Sequence, residues 1–127
     1  MKIELEQMFV EPFENCEGFG YDKEFYGYKV YVDGSHLMNL IQTCSGCPEQ
    51  YDLKSVLDMS MLAYFKVRYG YFRVDFGDCG GETIYDFSFG NGWNGVFEDE
   101  NQRIEQLSKG IEKVVEKLRK DKGEENE

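Results

Sequence analysis

The chain has 127 residues, 41% hydrophobic and 16% aromatic, with 25 acidic against 14 basic residues and a formal net charge of −11. That length suits one domain able to bury a core without disulfide staples, and the charge disfavours non-specific binding to phosphate backbones. No apolar run approaches the ~20 residues of a membrane span, and the N-terminal MKIELEQMF carries acids where a signal peptide would be apolar, so the expectation is a cytoplasmic protein that binds neither nucleic acid nor membrane.

Residues 2–10 set Ile3, Leu5 and Phe9 against Glu4 and Glu6 and predict a strand. Residues 11–22 hold Pro, Asn and Gly among acids and read as a loop. The Tyr- and Val-rich stretch 24–32 predicts a second strand, ended by Asp33-Gly34. Ser35 is placed to cap a short helix over 36–43, with Leu37, Leu40 and Ile41 on one face. A turn over 44–50 precedes a second short helix near 52–60, whose stripe is Leu53, Val56 and Leu57.

Residues 62–89 predict a three-stranded antiparallel meander. Tyr69-Gly70 makes its first turn and residues 78–81 its second, pairing Arg68 with Tyr71 and Gly77 with Glu82. This register places Phe65, Val67, Phe72, Val74, Phe76, Tyr85, Phe87 and Phe89 on one face, and a one-residue slip would mix the faces. It also sets Arg73 opposite Asp86. Residues 100–120 predict a helix, with Ile104, Leu107, Ile111, Val114, Val115 and Leu118 as one apolar stripe. Asp99 is its expected N-cap, with Gln102 completing a capping box, and Lys117, Arg119 and Lys120 suit its C-terminal dipole. The fold expectation is one α+β domain over 1–120: the meander packed on the C-terminal helix, an N-terminal strand pair and short helices. An acidic disordered tail, 121–127, follows.

Chemistry-bearing groups are sparse. Cys44 and Cys47 have the C-x-x-C spacing of a zinc knuckle, and Cys16 and Cys79 would complete a tetrahedral all-cysteine site, with His36 as a further candidate ligand. Only one such pair exists, so ordinary reduced thiols are the competing reading. A redox motif is disfavoured because the pair precedes Pro48 instead of opening a helix after a strand. Asp75, Glu82 and Asp86 share one sheet face with Arg73, which suits a salt-bridged face better than carboxylate catalysis. The glycines show no phosphate-binding fingerprint. A lone histidine with no nucleophile beside it in sequence adds no catalytic constellation, so the expectation is a non-enzymatic protein.

Residues 91–100, NGWNGVFEDE, stand apart: they hold the only tryptophan, two Asn-Gly pairs and three consecutive acids, where strand pattern gives way to helix pattern. Asn91-Gly92-Trp93-Asn94 followed by Phe97-Glu98-Asp99-Glu100 resembles a segment of small acidic phage-encoded anti-CRISPR proteins that inhibit Cas9. The resemblance implies a small three-stranded sheet with flanking helices. It also implies a DNA mimic whose carboxylates occupy the basic surface that reads the PAM duplex. In that family the motif lies between helices, whereas here it follows a strand. On this reading the chain is an acidic inhibitor of a basic partner, such as a nuclease or Cas9-like effector, acting in a bacterial host cell through Trp93, Asn94, Glu98, Asp99 and Glu100. An immunity protein to a nuclease toxin is a second form of the same idea. A small zinc-stabilised structural or adaptor domain is the alternative.

Overall fold

In the computed structural model the described residues are 1–10, 24–45, 49–78, 80–89 and 95–121. They form one seven-stranded antiparallel sheet in strict sequence order, followed by a helix. The strands are β1 (Ile3–Val10), β2 (Glu24–Val32), β3 (Ser35–Ser45), β4 (Glu49–Ser55), β5 (Met61–Arg68), β6 (Tyr71–Phe76) and β7 (Glu82–Ser88); the helix is α1 (Glu100–Asp121).

The architecture corrects the expected three-stranded meander with short helices. The segments expected to be helical at 36–43 and 52–60 are strand β3 and the end of β4 with the turn that follows it. Leu37, Leu40 and Ile41 do share a helical face, but the chain uses the period of two: Met38 and Leu40 are buried while Leu37 is 46% exposed. The deciding influence lies just outside the segment, in the turn before it and the strand it pairs with. Asp33 and Gly34 both take positive φ, 49° and 88°, the signature of a two-residue hairpin turn whose twist matches that of its strands. It commits residues 35–41 to pairing with β2. In the second segment Leu53 is fully buried but Leu57 is 92% exposed at a turn, so the proposed apolar stripe is divided.

The register expected for the last three strands is largely observed. Tyr69 and Gly70 form a second positive-φ turn, and Arg68 pairs with Tyr71, Phe65 with Val74 and Val67 with Phe72. At the next turn Glu82 pairs with Phe76, one residue from the expected Gly77. A bulge between Val74 and Asp75 absorbs the offset, so that Arg73 still faces Asp86. Arg73 nevertheless directs its Nε to Asp75, at 3.1 Å. Asp86 accepts a hydrogen bond from the Tyr71 hydroxyl at 2.8 Å.

One continuous inner face runs through the register from Val30 and Met38 to Leu40, Leu53 and Ala63, and from Tyr51 to Phe65, Val74 and Tyr85. The expected helical stripe meets it, with Leu107, Ile111 and Val114 wholly buried and Ile104 and Leu118 partly so. α1 touches both edge strands, β1 and β7, as well as β5 and β6. Seven strands spaced by about 4.8 Å are far wider than a helix of about 10–12 Å diameter, so the sheet must curl around α1 for both edges to reach it. Gly110 permits close approach of helix and sheet: a Cβ there would lie 2.8 Å from Val74 Cγ2 and 3.0 Å from Phe65 Cε2. Among the described residues no helix is long and apolar enough to cross a membrane.

Candidate functional site at the helix N-terminus

Strand parity decides what gathers at the start of α1. In the sequence Glu49-Gln-Tyr51-Asp-Leu53, alternate residues face inwards, so a carboxylate enters the core beside a tyrosine and a leucine; Glu49 is 1% exposed. A buried carboxylate is costly unless paired and hydrogen-bonded, and Glu49 is both. Arg103, in the first turns of α1, donates from Nε to Glu49 Oε2 at 2.8 Å and from Nη2 to Oε1 at 3.2 Å, the two-point geometry that a guanidinium offers a carboxylate. The Tyr51 hydroxyl donates to Oε2 at 2.5 Å and the Phe97 amide to Oε1 at 3.3 Å. Gln42 Nε2 donates in turn to the Tyr51 oxygen at 3.3 Å.

The network continues to the surface. Arg103 Nη1 donates to Glu100 Oε1 at 2.5 Å, and the Tyr28 hydroxyl to Glu100 Oε2 at 3.2 Å. The cluster therefore ties β2, β3 and β4 to the helix and to the segment before it. Burial, and then the neighbouring Glu100, pushes the Tyr28 hydroxyl well above its ordinary pKa; burial and then Glu49 do the same to Tyr51. The hydrogen bonds to Glu49 hold Arg103 even more firmly protonated than an ordinary arginine. Among the described residues every buried side-chain nitrogen and oxygen has a partner. The arrangement is thus mutually satisfied, and its evident work is to position the helix start.

The three acids expected to meet a partner sit on this platform and are exposed. Each also has an internal contact. Asp99 Oδ1 accepts from the Gln102 amide at 2.7 Å, the expected N-cap. Gln102 Oε1 accepts from the Glu98 amide at 2.8 Å, one residue earlier than a standard capping box, and Gln102 Nε2 donates to Glu98 Oε1 at 3.3 Å. Glu100 takes Tyr28 and Arg103. Phe97 anchors the segment from below, with its ring 5.6 Å from that of Phe89 and 5.1 Å from that of Phe72. Trp93 and Asn94 lie outside the described residues.

Of the candidate metal ligands, Cys44 is half-buried near the end of β3, and Cys16, Cys47 and Cys79 lie outside the described residues. The described strand ends flanking 46–48 are at the opposite end of the sheet from Asp78 and Gly80, which flank position 79. His36 is engaged with Asn39 Oδ1 at 2.8 Å. Among the described residues no group of three or more His, Cys, Asp or Glu could hold a metal ion. The carboxylates Asp75, Glu82 and Asp86 are dispersed in their contacts. Asp75 is buried and accepts from Arg73, Thr83 and the Gly80 amide, Glu82 pairs with Lys117, and Asp86 with Tyr71.

No motif in the sequence marks Glu49, Tyr51 and Arg103 as a cluster. The available signal was Glu49 two positions before Tyr51 and four before Leu53, at inward parity once 49–55 is read as a strand. Comparison with protein-family models, with curated proteins and with solved structures finds no match to this chain.

Proposed function

We propose that the protein is a non-enzymatic acidic binding protein that blocks a basic partner, a nuclease or other nucleic-acid-binding protein, with an anti-CRISPR inhibitor of a Cas9-type effector as the concrete form. The observation that carries this reading is the exposed, consecutive set Glu98, Asp99 and Glu100, fixed on a rigid helix start by Gln102, Arg103 and Tyr28. Carboxylates held in place lose little side-chain freedom on binding, and a pre-ordered site binds better for that reason. The charge distribution supports it as well. Lys2, Lys29, Lys109, Lys113 and Lys117 each have a carboxylate within 4.0 Å on this chain, so these cations are partly offset within a chain of net charge −11. Such a charge accelerates encounter with a basic surface and suppresses contact with phosphates.

The test replaces charge and keeps shape: Glu98→Gln, Asp99→Asn and Glu100→Gln together, Asn being as good an N-cap as Asp. Affinity for a purified Cas9-type effector is measured over a range of salt. The expected result is at least tenfold weaker binding and a shallower salt dependence in the variant, with an unchanged unfolding midpoint. Equal affinity and equal salt slope would remove this segment from the interface. The absence of binding to the effector by the unmodified chain would sink the concrete form.

A further inference from the structure

At the end of the sheet opposite the Glu49 cluster, α1 leaves a gap. β3, the β4–β5 turn and the C-terminal half of α1 enclose an open groove of about 510 Å³. That lies within the roughly 300–1,000 Å³ of small-molecule sites. Its wall is aliphatic, built by Leu37, Val56, Leu57, Leu62 and Leu118. Two of these are out of place for a solvated surface, since Leu37 is 46% and Leu57 92% exposed, and Met59 in the same turn is 58% exposed. Turn tips are ordinarily polar, and contiguous exposed apolar side chains mark contact sites more often than isolated ones do.

The rim supplies the charge. Arg119 lines the groove, and among the described residues its ion pair is with Asp33 at 3.9 Å, beyond hydrogen-bond distance. Asp33 is also an acceptor for the Lys2 amide at 2.8 Å. The guanidinium therefore retains donors directed by no close carboxylate, at the mouth of an aliphatic trough, on a chain that is otherwise strongly acidic.

We propose that this groove binds a free single-chain amphiphile with an anionic head, such as a fatty carboxylate, its chain lying on Leu57, Leu62 and Leu118 and its head on Arg119. Complementarity selects this occupant. The apolar wall requires an aliphatic chain, and the cationic rim requires an anionic head. The net charge of −11 repels an anionic bilayer and a second copy of the chain, while a single small anion feels chiefly the nearby guanidinium. The site is separate from the acids at the helix start and stands whether or not those bind a basic partner.

Equilibrium dialysis of the full chain against decanoate below its micelle concentration tests the proposal, with 1-decanol as the uncharged analogue. One saturable site per chain is expected. Decanol should bind about tenfold more weakly, the factor of ~1.4 kcal/mol for a charge-assisted contact. Arg119→Gln should weaken decanoate by the same factor and leave decanol unchanged, whereas Leu57→Ser should weaken both. Leu57 is exposed and Arg119 partly so, and an unchanged unfolding midpoint confirms that the fold survives. No saturable uptake, or decanoate affinity unaltered in Arg119→Gln, overturns it. So does uptake only onto phosphatidylglycerol vesicles, or a dimer that Leu57→Ser abolishes and decanoate leaves intact.

Discussion

Arg103 reaches from the first turns of α1 to Glu49 at the start of β4 and grips it at two points, 2.8 Å and 3.2 Å, across 54 positions of sequence. The carboxylate is almost fully buried and the guanidinium about one-fifth exposed. Removing one partner of such a pair strands the other, at a cost of about 3–5 kcal/mol. Arg103→Met should lower unfolding free energy by that order, measured in urea. Arg103→Met combined with Glu49→Gln should recover part of the loss, because the stranded charge is gone. A double variant no more stable than Arg103→Met would show that the single loss came from packing.

Alkaline pH should act on the same cluster. Tyr28 and Tyr51 have folded-state values raised above the ordinary 10.0, chiefly by burial, so folding favours their neutral forms. The stability they contribute is complete below pH about 10, and is lost as pH rises beyond it, because the unfolded chain ionises first. Unfolding free energy should therefore fall steeply above pH 10. In Tyr51→Phe the fall should be shallower, even though the variant is less stable at neutral pH. An identical alkaline slope in the variant would assign the loss to other groups.

Gly110 should resist a substitution that helix propensity favours. Alanine in a helix interior gains about 1 kcal/mol over glycine, but its Cβ would stand 2.8 Å from Val74 and 3.0 Å from Phe65. Overpacking of this kind costs about 1–3 kcal/mol, so Gly110→Ala should be destabilising on balance. Adding Phe65→Leu should relieve part of the Ala variant's penalty, a coupling that a double-mutant cycle in urea measures.

The cap separates the structural from the recognition role of the acids. Asp99→Ala leaves the Gln102 amide without its 2.7 Å acceptor and should cost about 1 kcal/mol, whereas Asp99→Asn should cost far less. Thermal unfolding of the two variants gives the comparison, and equal midpoints would deny the cap its energetic role.

The elements that could be read from the chain are those whose cues are local and agree. Strands β1 and β2, the Tyr69-Gly70 turn, the β5–β6 register and the capped stripe of α1 each carry a period, a turn pair or a cap within a few residues. The error at 36–43 and 52–60 arose where short apolar runs fit both periods. Met38, Leu40 and Leu53 became strand residues through partners in β2, β4 and β5. At the candidate site the exposed acids and the Asp99 cap were legible, because capping is a relation between neighbours. The Glu49–Arg103 clamp was not, since it joins residues that only the curled sheet brings together.

Sequence alone determined the charge, the inner-face alternation from Phe65 to Val74 and the helix from 100 onward, because each rests on spacing along the chain; beyond Val74 a bulge buries Asp75, which the alternation places on the outer face. Tertiary structure decided that seven strands form one sheet, that the sheet curls until both edges meet α1, and that Glu49 lies buried beneath exposed Glu98, Asp99 and Glu100. Those outcomes depend on hydrogen bonding between strands and on burial of a shared face, energies that exist only once distant segments pair.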